Sequence, residues 1–175
     1  VGTGAASAAS NSVTPSAGSV PGAPTIGSAT AGLLSASVSF TAPTIDGGLS
    51  ISGYKVTSNP GGITANGASS PITVSGLTAG TSYTFTVQAQ NSLGYSVASS
   101  ASNSVTPYNV PGAPTAVTAT AGDKNASVSF TAPVSDGGFS ITSYTVTSNP
   151  GGFTANGSSS PLTVSGLSNG TAYTF

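Results

Sequence analysis

The chain has no cysteine, methionine, tryptophan or histidine, and it also lacks glutamate and arginine. Its charged side chains are two lysines, Lys55 and Lys124, and three aspartates, Asp46, Asp123 and Asp136. They make up 3% of the 175 residues, where an ordinary soluble domain carries roughly a quarter. General acid–base catalysis needs such groups within hydrogen-bond reach of one another, so an enzyme is not expected and no cofactor is implied. Two lysines cannot neutralise a run of phosphates, which excludes nucleic acid as a partner. Without cysteine there is no disulfide and no thiolate metal site. No apolar run is long enough to span a bilayer, and the first residues show no signal peptide.

What is present is small and polar. Serine and threonine dominate, accompanied by 24 glycines and 12 prolines, and 37% of residues are hydrophobic. Disordered chains usually combine low hydrophobicity with high net charge, whereas the net charge here is -1, so a folded chain with a sparing core is expected.

The organising feature is an internal repeat of 90 residues. Val20-Pro21-Gly22-Ala23-Pro24-Thr25 recurs from Val110 to Thr115, Asp46-Gly47-Gly48 as Asp136-Gly137-Gly138, and Gly80-Thr81-Ser82-Tyr83-Thr84-Phe85 from Gly170 to Phe175. Ala9-Ser10-Asn11-Ser12-Val13-Thr14-Pro15 matches residues 101–107 at an offset of 92, because the first linker is two residues longer. The register divides the chain into the last strand of a preceding repeat (1–15), a linker (16–22), a complete domain (23–107), a second linker (108–112) and a domain truncated before its last strand (113–175). Tandem copies are expected to continue on both sides.

Within one copy, strict alternation marks half-buried strands. Ala36, Val38 and Phe40 alternate with Ser35, Ser37, Ser39 and Thr41, and Tyr83, Phe85, Val87 and Ala89 alternate with Thr84, Thr86, Gln88 and Gln90. Further strands are expected near 23–31, 51–58, 63–66, 72–75 and 97–105, separated by turns rich in glycine, proline and asparagine. Helical periodicity is absent. About seven strands per copy, with turn signals every 8–12 residues, predict an all-β fold of antiparallel immunoglobulin-like sandwiches.

The segment from Asp46 to Val56 and the segment from Leu77 to Asn91, with Tyr83 at its centre, resemble the loop into the third strand and the tyrosine corner of fibronectin type III domains. The resemblance covers the whole chain and marks Phe40, Tyr54, Tyr83, Phe85, Phe130, Tyr144 and Tyr173 as fold-defining. Phe40 and Phe130 stand where the family often has tryptophan, which implies a smaller core. Ala79 and Asn169 replace a common proline, removing some turn rigidity. The immunoglobulin alternative lacks its cysteine and tryptophan markers.

Asp46 and Asp136 are the charges that repeat between copies. One reading makes them calcium ligands, but that ion takes about six to eight oxygens and usually several carboxylates. The other makes each aspartate bond its own turn before Gly-Gly. Lys55 and Lys124 do not repeat, which speaks against a lysine-borne isopeptide crosslink and for surface solubilisers. Without arginine there is no Arg-Gly-Asp motif. Tyr95 and Tyr108 do not repeat either and are assigned to a domain junction. Asn125, Asn156 and Asn169 fit the N-glycosylation pattern, against a background of chance matches in so polar a chain.

The hydroxyl-rich, nearly uncharged strand faces favour association and predict either a glycan sheath or packing against neighbouring repeats and other copies of the chain. Proline-studded links from Thr14-Pro15 to Pro24 and from Thr106-Pro107 to Pro114 predict semi-rigid spacing. The expected function is a structural segment of a long extracellular or cell-surface bacterial protein, a stalk or filament. The alternative is a spacer or adhesion module presenting a distal binding or catalytic domain, as in an adhesin, a secreted carbohydrate-active enzyme or a phage tail protein. Strand exchange between chains is an alternative to a continuous array, and the end inside a strand at Phe175 speaks against it, since a natural boundary falls in a loop.

Overall fold

Alternating small apolar and hydroxyl residues produce strands and, among the described residues, no helix in the computed structural model, which describes residues 2–13 and 17–175. Val1, Ser16 and the Thr14-Pro15 pair at the start of the first link lie outside the described residues. Among the described residues no helix is long and apolar enough to cross a membrane.

The first domain comprises β1 (Thr25–Gly32), β2 (Ser35–Thr41), β3 (Gly53–Asn59), β4 (Thr64–Gly67), β5 (Ile72–Ser75), β6 (Thr84–Asn91) and the short β7 (Gly94–Tyr95). They form two antiparallel sheets ordered β1-β2-β5 and β4-β3-β6-β7. The second domain repeats the plan with β8 (Thr115–Ala121), β9 (Asn125–Thr131), β10 (Tyr144–Thr147), β11 (Thr154–Gly157) and β12 (Leu162–Ser165), in sheets β12-β9-β8 and β10-β11. The architecture is a tandem pair of immunoglobulin-like sandwiches, as the alternation predicts.

Side chains of a strand point alternately to its two faces, and burial follows that period. On β2 the inward Ala36 and Val38 are fully buried and Phe40 nearly so. From the facing sheet come Tyr54, Val56, Phe85, Val87 and Ala89. The Phe40 and Tyr54 rings pack tilted at 4.7 Å, and Phe130 and Tyr144 repeat the pair at 4.8 Å. Thirteen buried hydrophobic residues form the first core and five the second.

The expected strand at 97–105 takes a different form. Ser96, Ser99, Ser102 and Val105 donate their N–H groups to the carbonyls of Ala89, Val87, Phe85 and Tyr83, all at 2.8–2.9 Å. The segment therefore advances three residues for every two of its partner. Only Val105 and Tyr83 exchange a regular main-chain pair. At the other rungs a serine hydroxyl replaces the missing carbonyl: Ser96, Ser99 and Ser102 Oγ accept from the N–H groups of Ala89, Val87 and Phe85 at 3.0 Å. Each hydroxyl then donates to the carbonyl of its own next residue. Residues 2–13, expected as the last strand of a preceding copy, are exposed and form no strand. Such a segment has no regular ladder of its own to make without a β6 beside it.

The serine ladder gives a direct prediction. Ser99→Ala leaves the buried Val87 N–H without its acceptor, at a cost of about 1–3 kcal/mol. Hydrogen exchange should show accelerated exchange at Val87 first; an unchanged rate there would contradict the bond's role.

Candidate functional site: the domain junction

The Asp-Gly-Gly turns are built to receive the incoming linker. Asp46 Oδ1 accepts from Gly48 N–H at 2.8 Å, and Asp136 Oδ1 from Gly138 N–H at 2.9 Å, the aspartate-turn arrangement. Gly47 and Gly137 sit at φ 79°, in the left-handed region where side chains are disfavoured. Their carbonyls accept from Ser19 N–H at 2.9 Å and Asn109 N–H at 2.7 Å. One turn of the loop further back, the carbonyls of Ile45 and Ser135 accept from Gly22 and Gly112 at 2.9 Å. A Cβ on Gly47 or Gly137 would collide with the Ser19 or Asn109 carbonyl oxygen. In the first domain the buried Asn91 adds a clamp, its amide nitrogen donating to the carbonyls of Ser19 (2.7 Å) and Asp46 (3.0 Å). Both aspartates are thus accounted for by their turns, and no group of three potential metal-binding His, Cys, Asp or Glu side chains occurs among the described residues.

The upstream half of the second linker belongs to the first domain. Pro107 is fully buried and its carbonyl accepts from Gly80 N–H at 2.9 Å. Tyr108 N–H donates to Gly32 O at 3.2 Å, and Leu34 N–H to Tyr108 O at 2.8 Å. The Tyr108 ring then meets Phe139 of the second domain edge-on, centroids 4.9 Å apart. Held residues follow one another directly across the boundary: Pro107 and Tyr108 to the first domain, Asn109 and Gly112 to the second.

Of the two unrepeated tyrosines, Tyr108 lies at this junction and Tyr95 does not. Tyr95 sits on β7, with Lys55 Nζ 4.3 Å from its ring centroid. The turns preceding β2 and β9 also differ between domains. Leu33 and Leu34 face the linker in the first domain. Their counterparts Asp123 and Lys124 are tied to Asn169, whose amide donates to Asp123 Oδ1 at 2.7 Å and whose Oδ1 accepts from Lys124 N–H at 3.0 Å. Asn169 thereby tethers a turn that the absence of proline was expected to loosen.

The remaining predicted residues have definite places. Tyr83 and Tyr173 accept hydrogen bonds through their hydroxyl oxygens from Thr78 and Ser168 N–H at 3.1 Å. Phe85 is fully buried; Phe130, Tyr144, Tyr173 and Phe175 are partly covered. Of the glycosylation candidates, Asn125 and Asn169 use their amide nitrogens in internal hydrogen bonds. Asn156 is exposed on β11 and accepts from Thr145 Oγ1 through Oδ1.

Sequence reasoning missed Asn103. Its side chain bonds both main-chain groups of Ala29, accepting from the N–H at 2.8 Å and donating to the carbonyl at 3.0 Å. It thus binds the last segment to β1, where the β1–β2 register shifts. The Ser-x-x-Ser-x-x-Ser spacing that precedes Val105 was the available signal.

The family model described as "Fibronectin type III domain" matches residues 22–106 and 112–175. No curated protein matches significantly. Among solved structures, "Titin kinase and its flanking domains" is 27% identical with TM-score 0.45, covering 50% of this chain and 17% of that one. Titin domains A168–A170 are 27% identical with TM-score 0.47, covering 51% and 32%. The twitchin kinase region from C. elegans is 26% identical with TM-score 0.46, covering 53% and 18%. The chain spans at most about a third of the length of these structures. With two matched segments that together take in most of its residues, the chain belongs to the fibronectin type III family.

Proposed function

We propose that the chain is a semi-rigid spacer segment of an extracellular or cell-surface protein, its repeated domains setting length and orientation. The observation that carries this reading is the unbroken run of held residues from Pro107 to Asn109, with Tyr108 bonded to one domain and set edge-on against the other. A linker with no free residue between its two anchors transmits direction as well as distance. The hydroxyl-rich, almost uncharged outer faces support a setting in which the segment is sheathed by glycan or packed against other copies, because little charge repulsion holds such surfaces apart. A stalk or filament of bacterial origin fits both features.

Spin labels placed on β3 and β11 test the spacer reading. The unmodified chain should give one narrow interdomain distance distribution, and Tyr108→Ala a broadened one with both domains still folded. A broad distribution in the unmodified chain would overturn the proposal.

A further inference from the structure

An uncovered edge strand is a template for pairing with another chain, and the first domain closes two of its edges with side chains. Along 96–105 the hydroxyls of Ser96, Ser99 and Ser102 donate to the carbonyls of Val97, Ser100 and Asn103, which occupies acceptors that a neighbouring strand would need. On β1 the register shifts between Ile26 and Ala29, and Asn103 takes both main-chain groups of Ala29.

The edge of β4 has no such cover. It is the outer strand of the sheet β4-β3-β6-β7. Ser58 N–H donates to Ile63 O at 2.9 Å, and hydrogen-bonded pairs recur at every second residue of an antiparallel ladder. Val56↔Ala65 and Tyr54↔Gly67 are therefore the bonded pairs, and Thr64 and Asn66 turn their N–H and C=O groups away from β3. Both residues are exposed. β11 repeats the arrangement: Ser148 N–H donates to Phe153 O at 2.9 Å, Thr154 and Asn156 face outward and are exposed, and the sequence is again Thr-Ala-Asn-Gly. Proline, charge and bulges, the usual guards of an edge, are absent from both strands. Lys55 of the adjacent β3 leans to the far side of the sheet, its Nζ 4.3 Å from the ring centroid of Tyr95 on β7. In the second domain Thr145 takes its place opposite Asn156.

We propose that β4 and β11 are the surfaces through which two copies of this chain associate, edge to edge and antiparallel. A two-fold contact uses the same patch on both partners, and this edge complements itself. About an axis at Ala65, Thr64 of one chain stands opposite Asn66 of the other and Asn66 opposite Thr64, so each pair exchanges both of its N–H···O=C bonds. Ala65, whose main-chain groups are used by β3, falls at the intervening non-bonded position, where its small side chain lets the strands approach. A net charge of -1 over 175 residues puts little repulsion between copies, which favours a second copy over a charged partner as the occupant. Because the two edges share one sequence, β4 also fits β11, and the contact recurs with the 90-residue period. Such pairing rests on the reading above that the segment packs against other copies, whereas the spacer reading is tested separately by the interdomain distances.

Sedimentation velocity and amide exchange of the 175-residue protein over a range of concentrations test the contact. Reversible self-association is expected, with protection that grows with concentration at the N–H groups of Thr64, Asn66, Thr154 and Asn156 and not at Ala65 or Ala155, which are bonded already. A chain carrying Thr64→Lys, Asn66→Lys, Thr154→Lys and Asn156→Lys sets like charges opposite one another at each pair and should self-associate at least about tenfold more weakly. A chain with Thr64→Glu, Asn66→Glu, Thr154→Glu and Asn156→Glu should be weakened similarly. An equimolar mixture of the two variants should associate at least as tightly as the unmodified chain, a rescue that misfolded variants would not give. A lysine variant that associates as tightly as the unmodified chain would leave packing between copies in place and overturn the edges as its site. An unmodified chain that stays monomeric at about 1 mM, or a mixture that fails to associate, would also overturn the proposal.

Discussion

Phe85→Ala is expected to destabilise the first domain by about 3–5 kcal/mol, the range for deleting a fully buried phenylalanine and leaving its cavity. Phe85 has no exposed surface, lies on β6 between the two sheets and has Tyr83 as its ring neighbour at 6.4 Å. The first core contains thirteen buried hydrophobic residues, three of them alanine, and alanines cannot reach into the void. Against a total stability of about 5–15 kcal/mol for an ordinary domain, such a loss moves the domain close to its unfolding midpoint. Denaturant titration read by residue-resolved exchange should show the loss at β2, β3 and β6, with β8, β9 and β12 unaffected. A change below about 1 kcal/mol, the size of an ordinary surface effect, would mean that the Phe85 site is not the packed centre of the core.

Gly137→Ala is expected to uncouple the two domains. An alanine in the left-handed region costs about 1–2 kcal/mol, and its methyl group would also overlap the Asn109 carbonyl. The backbone can relieve that overlap only by releasing the linker, which breaks the Asn109 N–H bond to Gly137 and moves Tyr108 off Phe139. Gly170→Ala separates the two effects: Gly170 has φ 80° with open space where a Cβ would lie. Both variants should lose similar stability from backbone strain, but only Gly137→Ala should broaden the interdomain distance distribution. Equal broadening in both, or in neither, would contradict the junction described above.

The strands were legible because their apolar residues alternate and their turns are marked by glycine, proline and asparagine. Ala36, Val38 and Phe40 show this most plainly, with burial in step with the sequence pattern. The Asp-Gly-Gly turns were legible as turns, but their role as linker receptors was not. That role depends on an N–H contributed from 28 positions earlier, donated by Asn109 to the Gly137 carbonyl, and no local pattern encodes it. The three-residue step of 96–105 was hidden for a different reason. Serine every third position is inconspicuous in a serine-rich chain, and it acquires meaning only opposite a strand whose N–H groups need acceptors. Tyr95 and Tyr108 gave the same signal, a lack of repetition. Such a signal says that a residue lies outside the shared core without saying where, and the two tyrosines have different places.

The serine ladder also bears on how the chain responds to tension. Residues 96–105 run alongside 83–89, so nine residue steps cover the distance of six. Six steps of strand span about 20 Å and nine fully extended steps about 30 Å. The segment leads directly into Pro107 and the junction, and a pull on the linker reaches it once Tyr108 is freed from Gly32 and Leu34. Rupture of the hydroxyl-mediated rungs would release about 10 Å of contour length per domain. The repeat thus contains an extensible element in series with its rigid parts, and a string of such domains would lengthen by increments under load before any sandwich opened.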